Sequence, residues 1–223
     1  MPDSAPRIAV VVSAPFAENS YIAHLDGRND CLVIDPGFDP DKIIDYLVEH
    51  KLVPAAFLIT HGHADHIVGN APLKEKWPTC PIVIGRDEAP KLTDAALNLS
   101  GAFGMPLTSP PADVLLDERE IYRAAGFELE ARLIPGHSSG HMVYVTQHLT
   151  PIIVFGGDVL FAGSIGRTDF PGGSFDTLAD AIHCKLFTLP DDTIVLPGHG
   201  PETTVGEEKA GNQFVGRPAG WRG

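Results

Sequence analysis

Histidine and aspartate side chains crowd into one short segment, where their types and spacing suit the binding of metal ions. Residues 60–66 read THGHADH, which places four potential ligands (His61, His63, Asp65 and His66) within six residues and separates them only by glycine and alanine. On an extended strand end His61 and His63 project to the same side, and a turn returns Asp65 and His66 toward the same region. Imidazole nitrogens with a carboxylate oxygen suit zinc, iron or manganese better than calcium or magnesium.

Three later segments repeat one design, in which an apolar strand runs into a glycine and then a potential ligand. The three ligands are His137, Asp158 and His199. Strand ends can converge at one edge of a sheet sandwich, and glycine removes side chains that would block the approach of a metal. Together with the first segment they make seven ligands, enough for two metal ions that share one carboxylate.

The string His-x-His-x-Asp-His followed by separate His, Asp and His resembles the metallo-β-lactamase superfamily over nearly the whole chain. The resemblance implies an α/β fold, a four-layer αββα sandwich of two mixed sheets, with the metal site at one edge. It also implies two divalent metal ions, for which zinc is expected and iron or manganese stay open. By motif, the first ion is held by His61, His63 and His137, the second by Asp65, His66 and His199, and Asp158 bridges them.

Within the superfamily, four segments narrow the resemblance to glyoxalase II, the hydroxyacylglutathione hydrolases. Residues 136–141 (GHSSGH) and 155–161 (FGGDVLF) are similar to those enzymes in general. Residues 166–170 (GRTDF) and 197–204 (PGHGPETT) look most like a short bacterial subgroup. The implied reaction is hydrolysis of a thioester, above all S-(2-hydroxyacyl)glutathione such as S-lactoylglutathione, by a hydroxide that the metals activate. Hydrolysis of another ester or thioester is the alternative.

Three side chains are expected to act on the substrate side of such a site. Asp65 and Asp158 are the expected catalytic carboxylates, with Asp65 orienting the hydroxide while it binds metal. Arg167 stands where glyoxalase II enzymes bind glutathione, so it is either an anion contact or part of a structural salt bridge. His141 is interpreted as packing or as support behind the ligands. Phe103, Phe161 and Phe170 are expected either to line a pocket mouth or to pack in the core, the commoner fate of phenylalanine.

Other functions stay open at this point. A persulfide dioxygenase shares the GRTDF segment and would hold a single iron through His61, His137 and Asp158. Asp65 and the lack of a secretory signal disfavour a β-lactamase, and the lack of a basic groove disfavours a nuclease. A non-catalytic zinc scaffold is also possible, although seven ligands suit catalysis better than a closed structural site of four.

The elements that must position these side chains read as strands alternating with helices in two similar halves, which predicts the α/β sandwich. One helix is expected to begin at Pro40 with Asp39 as its N-cap. Further helices are predicted over 66–77 and 175–187. Residues 88–113 read as a long loop, a length that usually serves a purpose such as covering a site.

Composition limits the partners and the compartment. The chain has 223 residues, a net charge of −13 from 16 basic and 29 acidic residues, and three cysteines. The acidic balance argues against nucleic acid, no apolar run reaches membrane length, and the odd cysteine count fits a reducing cytoplasm. We expect one domain over 1–223 without a separate C-terminal helical domain, a tail after His199, and a small-molecule thioester as substrate. The oligomeric state is left open.

Overall fold

Two six-stranded sheets form the framework of residues 5–102 and 104–223, the ranges that the computed structural model describes. The first sheet has the strand order β1-β2-β3-β4-β5-β6, antiparallel among β1, β2 and β3 and parallel from β3 onward. Its strands are β1 (Pro6–Ser13), β2 (Glu18–Leu25), β3 (Asp30–Ile34), β4 (Val53–Ile59), β5 (Ile82–Gly85) and β6 (Val114–Leu116).

The second sheet is mostly antiparallel, in the order β14-β13-β10-β9-β8-β7, with a parallel pair between β10 and β13. Its strands are β7 (Ile121–Ala124), β8 (Phe127–Leu133), β9 (Met142–Thr146), β10 (Ile153–Gly157), β13 (Ile194–Pro197) and β14 (Thr203–Thr204), and β11 (Leu160–Phe161) and β12 (Ser164–Ile165) form a separate hairpin. The helices are α1 (Pro40–Glu49), α2 (Ala64–Ile67), α3 (Asn70–Lys76), α4 (Ala89–Thr93), α5 (Phe175–Lys185) and α6 (Val205–Gly211), with 3₁₀ turns at Arg86–Glu88 and Arg217–Ala219.

Three apolar layers separate these elements. Side chains such as Leu58 and Tyr144 fill the space between the two sheets. Leu47 belongs to the layer between α1, α3 and the first sheet, and Leu178 to the layer between α5 and the second sheet. Strands that are buried on both faces need apolar residues throughout, as in β4 and β10. The predicted four-layer αββα sandwich is confirmed. Within the described ranges, no helix combines the length and apolarity needed to cross a bilayer.

The single helix predicted over 66–77 is wrong, because the chain forms α2 and α3 with a break at Gly69. The Gly69 amide donates to the carbonyl of Pro36 at 2.8 Å, so this turn is held against the loop after β3. A Cβ on Gly69 would lie 2.7 Å from the same carbonyl oxygen. This close packing, which comes from a distant part of the chain, ends the helical run.

Three other expectations need correction. Asp39 occupies the N-cap position of α1, but its side chain makes no capping bond and instead accepts from the Ala14 amide and the Lys42 ammonium. The stretch 88–113 is not wholly a loop, because it contains α4. The predicted tail after His199 is wrong as well: α6 has a capping box and buries Val205 in the layer beside α5.

Candidate metal centre

Four loops that carry the predicted ligands meet at one edge of the sandwich. The segment 60–66 follows β4 of the first sheet, whereas His137, Asp158 and His199 follow β8, β10 and β13 of the second. The structure brings all seven predicted ligands together. The first group is His61 with His63 and His137, the second group is Asp65 with His66 and His199, and Asp158 forms an overlapping group with His61 and His66. Within each group the candidate ligand atoms lie within 4.8 Å of one another.

The first group is a triangle of imidazole nitrogens. His61 Nε2 lies 3.0 Å from His63 Nδ1, and His137 Nε2 lies 3.3 Å from His61 Nε2 and 3.0 Å from His63 Nδ1. Nitrogens bound at about 2.0–2.1 Å to a tetrahedral zinc ion are separated by about 3.3 Å. The triangle therefore has the size that a metal ion requires.

The distal ring nitrogens of His61 and His137 have acceptors that fix their protons. His61 Nδ1 donates to Thr60 Oγ1 at 3.1 Å, and the Thr60 hydroxyl in turn donates to Asp35 Oδ2 at 2.7 Å. His137 Nδ1 donates to the backbone carbonyl of Arg167 at 2.8 Å. Because Nδ1 carries the proton in both rings, the Nε2 lone pairs point into the triangle, as metal ligation needs.

Burial keeps the first group neutral. It lowers the pKa of His61 well below its ordinary value, and burial together with the neighbouring His137 lowers the pKa of His63 to about 3. Burial also lowers the pKa of His137, although Asp158 partly opposes this effect. Neutral imidazole is the form that binds metal, so these rings are available as ligands across the physiological pH range.

The second group combines a carboxylate with two imidazoles. His66 Nδ1 donates to Asp35 Oδ2 at 3.1 Å, and His199 Nδ1 donates to the carbonyl of Phe16 at 3.2 Å. Their Nε2 atoms face Asp65 Oδ2 at 3.8 Å and 3.4 Å. The same rule as in the first group applies: a backbone or carboxylate acceptor holds the distal proton, and the free lone pair points inward.

Asp158 lies between the two groups. Its Oδ1 is 3.5 Å from His66 Nε2, and its Oδ2 is 3.5 Å from His137 Nε2 and 3.6 Å from His199 Nε2. His66 Nε2 and Asp158 Oδ1 are buried without a hydrogen-bond partner. Buried polar atoms nearly always have a partner, so this pair marks a place that a cation would fill.

The electrostatics around Asp158 also indicate a cation at this place. Burial alone would raise the pKa of Asp158, but the positive charges of His66 and His199 lower it overall. Burial alone would lower the pKa of His66, but Asp65 and Asp158 raise it well above its ordinary value. The two carboxylates thus require positive charge beside them, and divalent ions supply it while leaving the imidazoles neutral.

Glycine makes room for this arrangement. A Cβ on Gly198 would lie 2.3 Å from Asp158 Oδ1 and 2.7 Å from His66 Cε1, and a Cβ on Gly157 would lie 2.3 Å from Thr60 Oγ1. Gly157 also has a φ of +47°, a conformation that side chains disfavour. The glycines that precede the ligands therefore let the ligand loops approach one another, and the residues present fit a pair of metal ions.

Sequence reasoning missed Asp35, which supports both groups. Its carboxylate accepts from the Thr60 amide and hydroxyl, each at 2.7 Å, and from His66 Nδ1. The signal was present in the sequence, because Asp35 follows apolar β3 and precedes Pro36 and Gly37, much as the other site residues follow their strands. His141, assigned to packing or support, is fully buried, and its Nε2 accepts from the Asp158 amide at 3.0 Å.

A cavity of about 470 Å³ opens beside the seven ligands. Five apolar side chains form much of its wall, namely Phe16, Leu99, Phe161, Ile165 and Phe170. Of the two alternatives for Phe161 and Phe170, the structure therefore shows the pocket wall and not core packing. Phe103 lies outside the described residues. Leu99 and its neighbour Asn98 belong to the stretch 88–113, so this stretch covers the site as predicted.

Arg167 also lines the cavity, but its guanidinium is already paired. It binds both carboxylate oxygens of Asp169 at 2.7 Å and lies over the Phe170 ring, with 4.0 Å between Cζ and the ring centroid. Its side chain is 57% exposed. The structure thus shows the salt bridge that the sequence left as one of two alternatives, with the guanidinium at the cavity rim.

The fold and the two joined His/Asp groups define a metal-dependent hydrolase. The sequence matches the Metallo-beta-lactamase superfamily over residues 14–199, and the chain belongs to this superfamily.

Curated relatives and solved structures agree with this placement. The chain is 43% identical to the probable metallo-hydrolase YqgX of Bacillus subtilis, over 90% of this chain and 93% of that protein. It is 35% identical to the hydroxyacylglutathione hydrolase GloC of Haemophilus influenzae, over 94% of this chain and 98% of that protein. Among solved structures, the BLEG-1 B3 metallo-beta-lactamase superimposes with a TM-score of 0.89 at 36% identity, covering 94% and 99% of the two chains. TTHA1623 in a di-iron-bound form superimposes with a TM-score of 0.80 at 34% identity, covering 93% and 100%.

Proposed function

We propose that the chain hydrolyses S-(2-hydroxyacyl)glutathione thioesters, such as S-lactoylglutathione, to glutathione and a hydroxy acid, and that it does so with two divalent metal ions, zinc by expectation. The observation that carries the proposal is Asp158 between two ligand groups at the floor of a cavity with an apolar wall. The likeness to GloC supports the thioester class. The di-iron-bound TTHA1623 supports a pair of metals and keeps iron as the alternative to zinc.

The residues of the site divide the work of the reaction. The seven ligands would hold two metal ions, which would activate a water at neutral pH and polarise the substrate carbonyl. Asp65, which lines the cavity, orients the attacking water by accepting a hydrogen bond from it. Asp158 holds the two ligand groups at a fixed separation.

A thioester suits the protonation chemistry of this cavity. A thiolate leaving group has a pKa of about 8.5 and departs with little help from an acid. The described lining residues that titrate are the predicted metal ligands and Arg167, so no side chain is set aside as a proton donor. The volume lies within the roughly 300–1,000 Å³ of small-molecule sites. Its apolar wall accommodates the methylene groups beside the sulfur, and a glutathione carboxylate would share the Arg167 guanidinium at the rim with Asp169.

The test combines metal analysis with a thioester assay. Protein purified without chelator is expected to contain two metals per chain and to hydrolyse S-lactoylglutathione. Asp158→Ala is expected to abolish turnover, because it removes the carboxylate shared by both groups. Asp192→Asn, an exposed carboxylate far from the cavity lining, is the matched control and keeps wild-type turnover.

Two results would overturn the proposal. One iron per chain, with oxygen uptake on glutathione persulfide and no thioester cleavage, identifies a dioxygenase. Hydrolysis of a chromogenic β-lactam without thioester cleavage identifies a β-lactamase. The second outcome is the stronger rival, because BLEG-1 is similar in both sequence and structure and attack on a lactam carbonyl needs the same metal chemistry.

A further inference from the structure

A buried glutamate outside the predicted ligand set lies behind the first ligand group. Glu88 ends the 3₁₀ turn Arg86–Glu88 between β5 and α4, and it is 0% exposed. It neither lines the cavity nor belongs to the metal-binding groups among the described residues. Burying a carboxylate costs free energy unless the group is paired and hydrogen-bonded, so the contacts of Glu88 indicate its structural role.

The two carboxylate oxygens of Glu88 hold two different ligand loops. Oε2 accepts from the backbone amide of Gly62, which lies between His61 and His63, at 2.8 Å. Oε1 accepts from the backbone amide of Gly140 at 2.8 Å and from the Ser138 hydroxyl. Gly62 belongs to the loop after β4 in the first sheet, and Gly140 to the loop after β8 in the second. One side chain therefore ties together the loops that supply all three imidazoles of the first group.

The remaining contacts keep Glu88 charged and in place. Lys91 Nζ lies 2.8 Å from Oε1 and also contacts the Ser138 hydroxyl. Burial alone would raise the pKa of Glu88, but the Lys91 charge and the donated hydrogen bonds lower it overall. As a carboxylate, Glu88 offers only acceptors to the donors around it.

The glycines of both loops fit closely against the Glu88 turn. A Cβ on Gly62 would lie 2.5 Å from Lys91 Cβ, and a Cβ on Gly140 would lie 2.7 Å from Asp87 Cβ. Glycine at both positions lets the turn and the start of α4 sit directly against the two backbones. The spacing between the loops is therefore set by this contact and by the carboxylate that bonds to each side.

We propose that Glu88 is a positioning residue for the first metal site, which sets the separation of the loop carrying His61 and His63 from the loop carrying His137. It acts through the backbone amides and does not touch the metal or the substrate. The proposal rests on metal binding by the three imidazoles and is independent of which substrate is cleaved.

Glu88→Gln gives a sharp test, because the amide has the same shape but only one oxygen. The Gly62 and Gly140 amides face different oxygens, so either orientation of the glutamine sets an NH₂ group against a backbone N–H. Loss of an outer contact of this kind weakens metal binding by about 10–100-fold. Zinc titration against a chromophoric chelator is expected to show this loss for one of the two ions and less than about a threefold change for the other. Cobalt substitution reports the altered geometry of the first site in its visible spectrum.

Two further variants separate positioning from a general loss of stability. Glu208→Gln changes another buried glutamate, which bonds to Thr203, Gly163 and Asn212 and contacts neither loop of the first group. It is expected to lower the melting temperature and to leave the zinc affinity of the first site unchanged. Glu88→Asp keeps the charge beside Lys91 but is one methylene too short to hold both loops, and it is expected to weaken binding of the same ion as Glu88→Gln.

If both Glu88 variants bind two zinc ions with wild-type affinity, or if Glu208→Gln weakens binding equally, the proposal is refuted. If zinc binding by the variants changes as expected but the wild-type protein does not cleave S-lactoylglutathione, the positioning role is supported and the proposed substrate is wrong.

Discussion

A methyl group at Gly198 tests whether the close approach of the ligand loops sets the metal geometry. In Gly198→Ala the new Cβ would lie 2.3 Å from Asp158 Oδ1 and 2.7 Å from His66 Cε1. Non-bonded carbon and oxygen atoms ordinarily stay at least about 3.3 Å apart, so the carboxylate or the loop must move by about 1 Å. A displacement of that size at reacting groups lowers kcat/KM by about 100-fold, which corresponds to about 2.7 kcal/mol of transition-state stabilisation.

The assay compares Gly198→Ala with Gly211→Ala, whose new Cβ meets nothing within 4 Å. Both proteins are titrated with zinc, their melting temperatures are measured, and thioester turnover is followed at saturating metal. The expected result is a wild-type profile for Gly211→Ala and a large loss of kcat/KM for Gly198→Ala, with weaker binding of the ion that His66 holds. Wild-type turnover and two tightly bound ions in Gly198→Ala would refute the reasoning, because Asp158 would then not be confined by this backbone.

Three more perturbations follow from the same structure. Asp35→Asn removes a carboxylate oxygen that accepts from His66, and it is expected to weaken the binding of one zinc ion by about 10–100-fold in a chelator competition. A zinc affinity equal to that of the wild type would contradict the supporting role of Asp35. Phe170→Ala removes part of the apolar cavity wall and is expected to raise KM by about 5–30-fold, as loss of one or two kcal/mol of apolar contact implies, with kcat changed much less; a loss confined to kcat would argue against substrate contact. Burial raises the pKa of Glu18 above its value in the unfolded chain. Between these two pKa values folding takes up a proton, so the free energy of unfolding decreases as the pH rises toward the folded pKa. The glutamine of Glu18→Gln cannot titrate, so the variant does not lose this stability. Its free energy of unfolding in urea, minus that of the wild type, is therefore expected to increase from about pH 5 to about pH 8. A difference that does not change with pH would show that Glu18 is ionised in the folded protein.

The ligand positions could be predicted because their signal is local. Four of them (His61, His137, Asp158 and His199) follow an apolar strand and lie beside a glycine, and the other three come within five residues after His61. A strand of fixed direction carries its last residues to a known edge of the sheet. The alternation of strands and helices likewise predicts the layers of the fold, since each sheet must bury both faces. These inferences need only a few neighbouring residues at a time.

The partners of the supporting residues could not be predicted in that way, because they are distant along the chain. Asp35 binds Thr60 and His66, which are 25 and 31 positions away. Glu88 binds amides 26 and 52 positions away. The break at Gly69 has the same origin, because the contact that ends the helix comes from the loop after β3. Only the folded arrangement shows which buried acid meets which backbone.

The C-terminal segment shows how such distant contacts bear on substrate choice. Glu208 of α6 accepts from the Gly163 amide at 2.9 Å, and Asn212 donates to the Ser164 carbonyl at 2.9 Å. Both contacts fix the β11–β12 hairpin, whose Phe161 and Ile165 form part of the cavity wall. The segment that the sequence presents as a tail therefore positions one side of the substrate cavity, and variation in α6 alters the shape of that wall without changing any metal ligand.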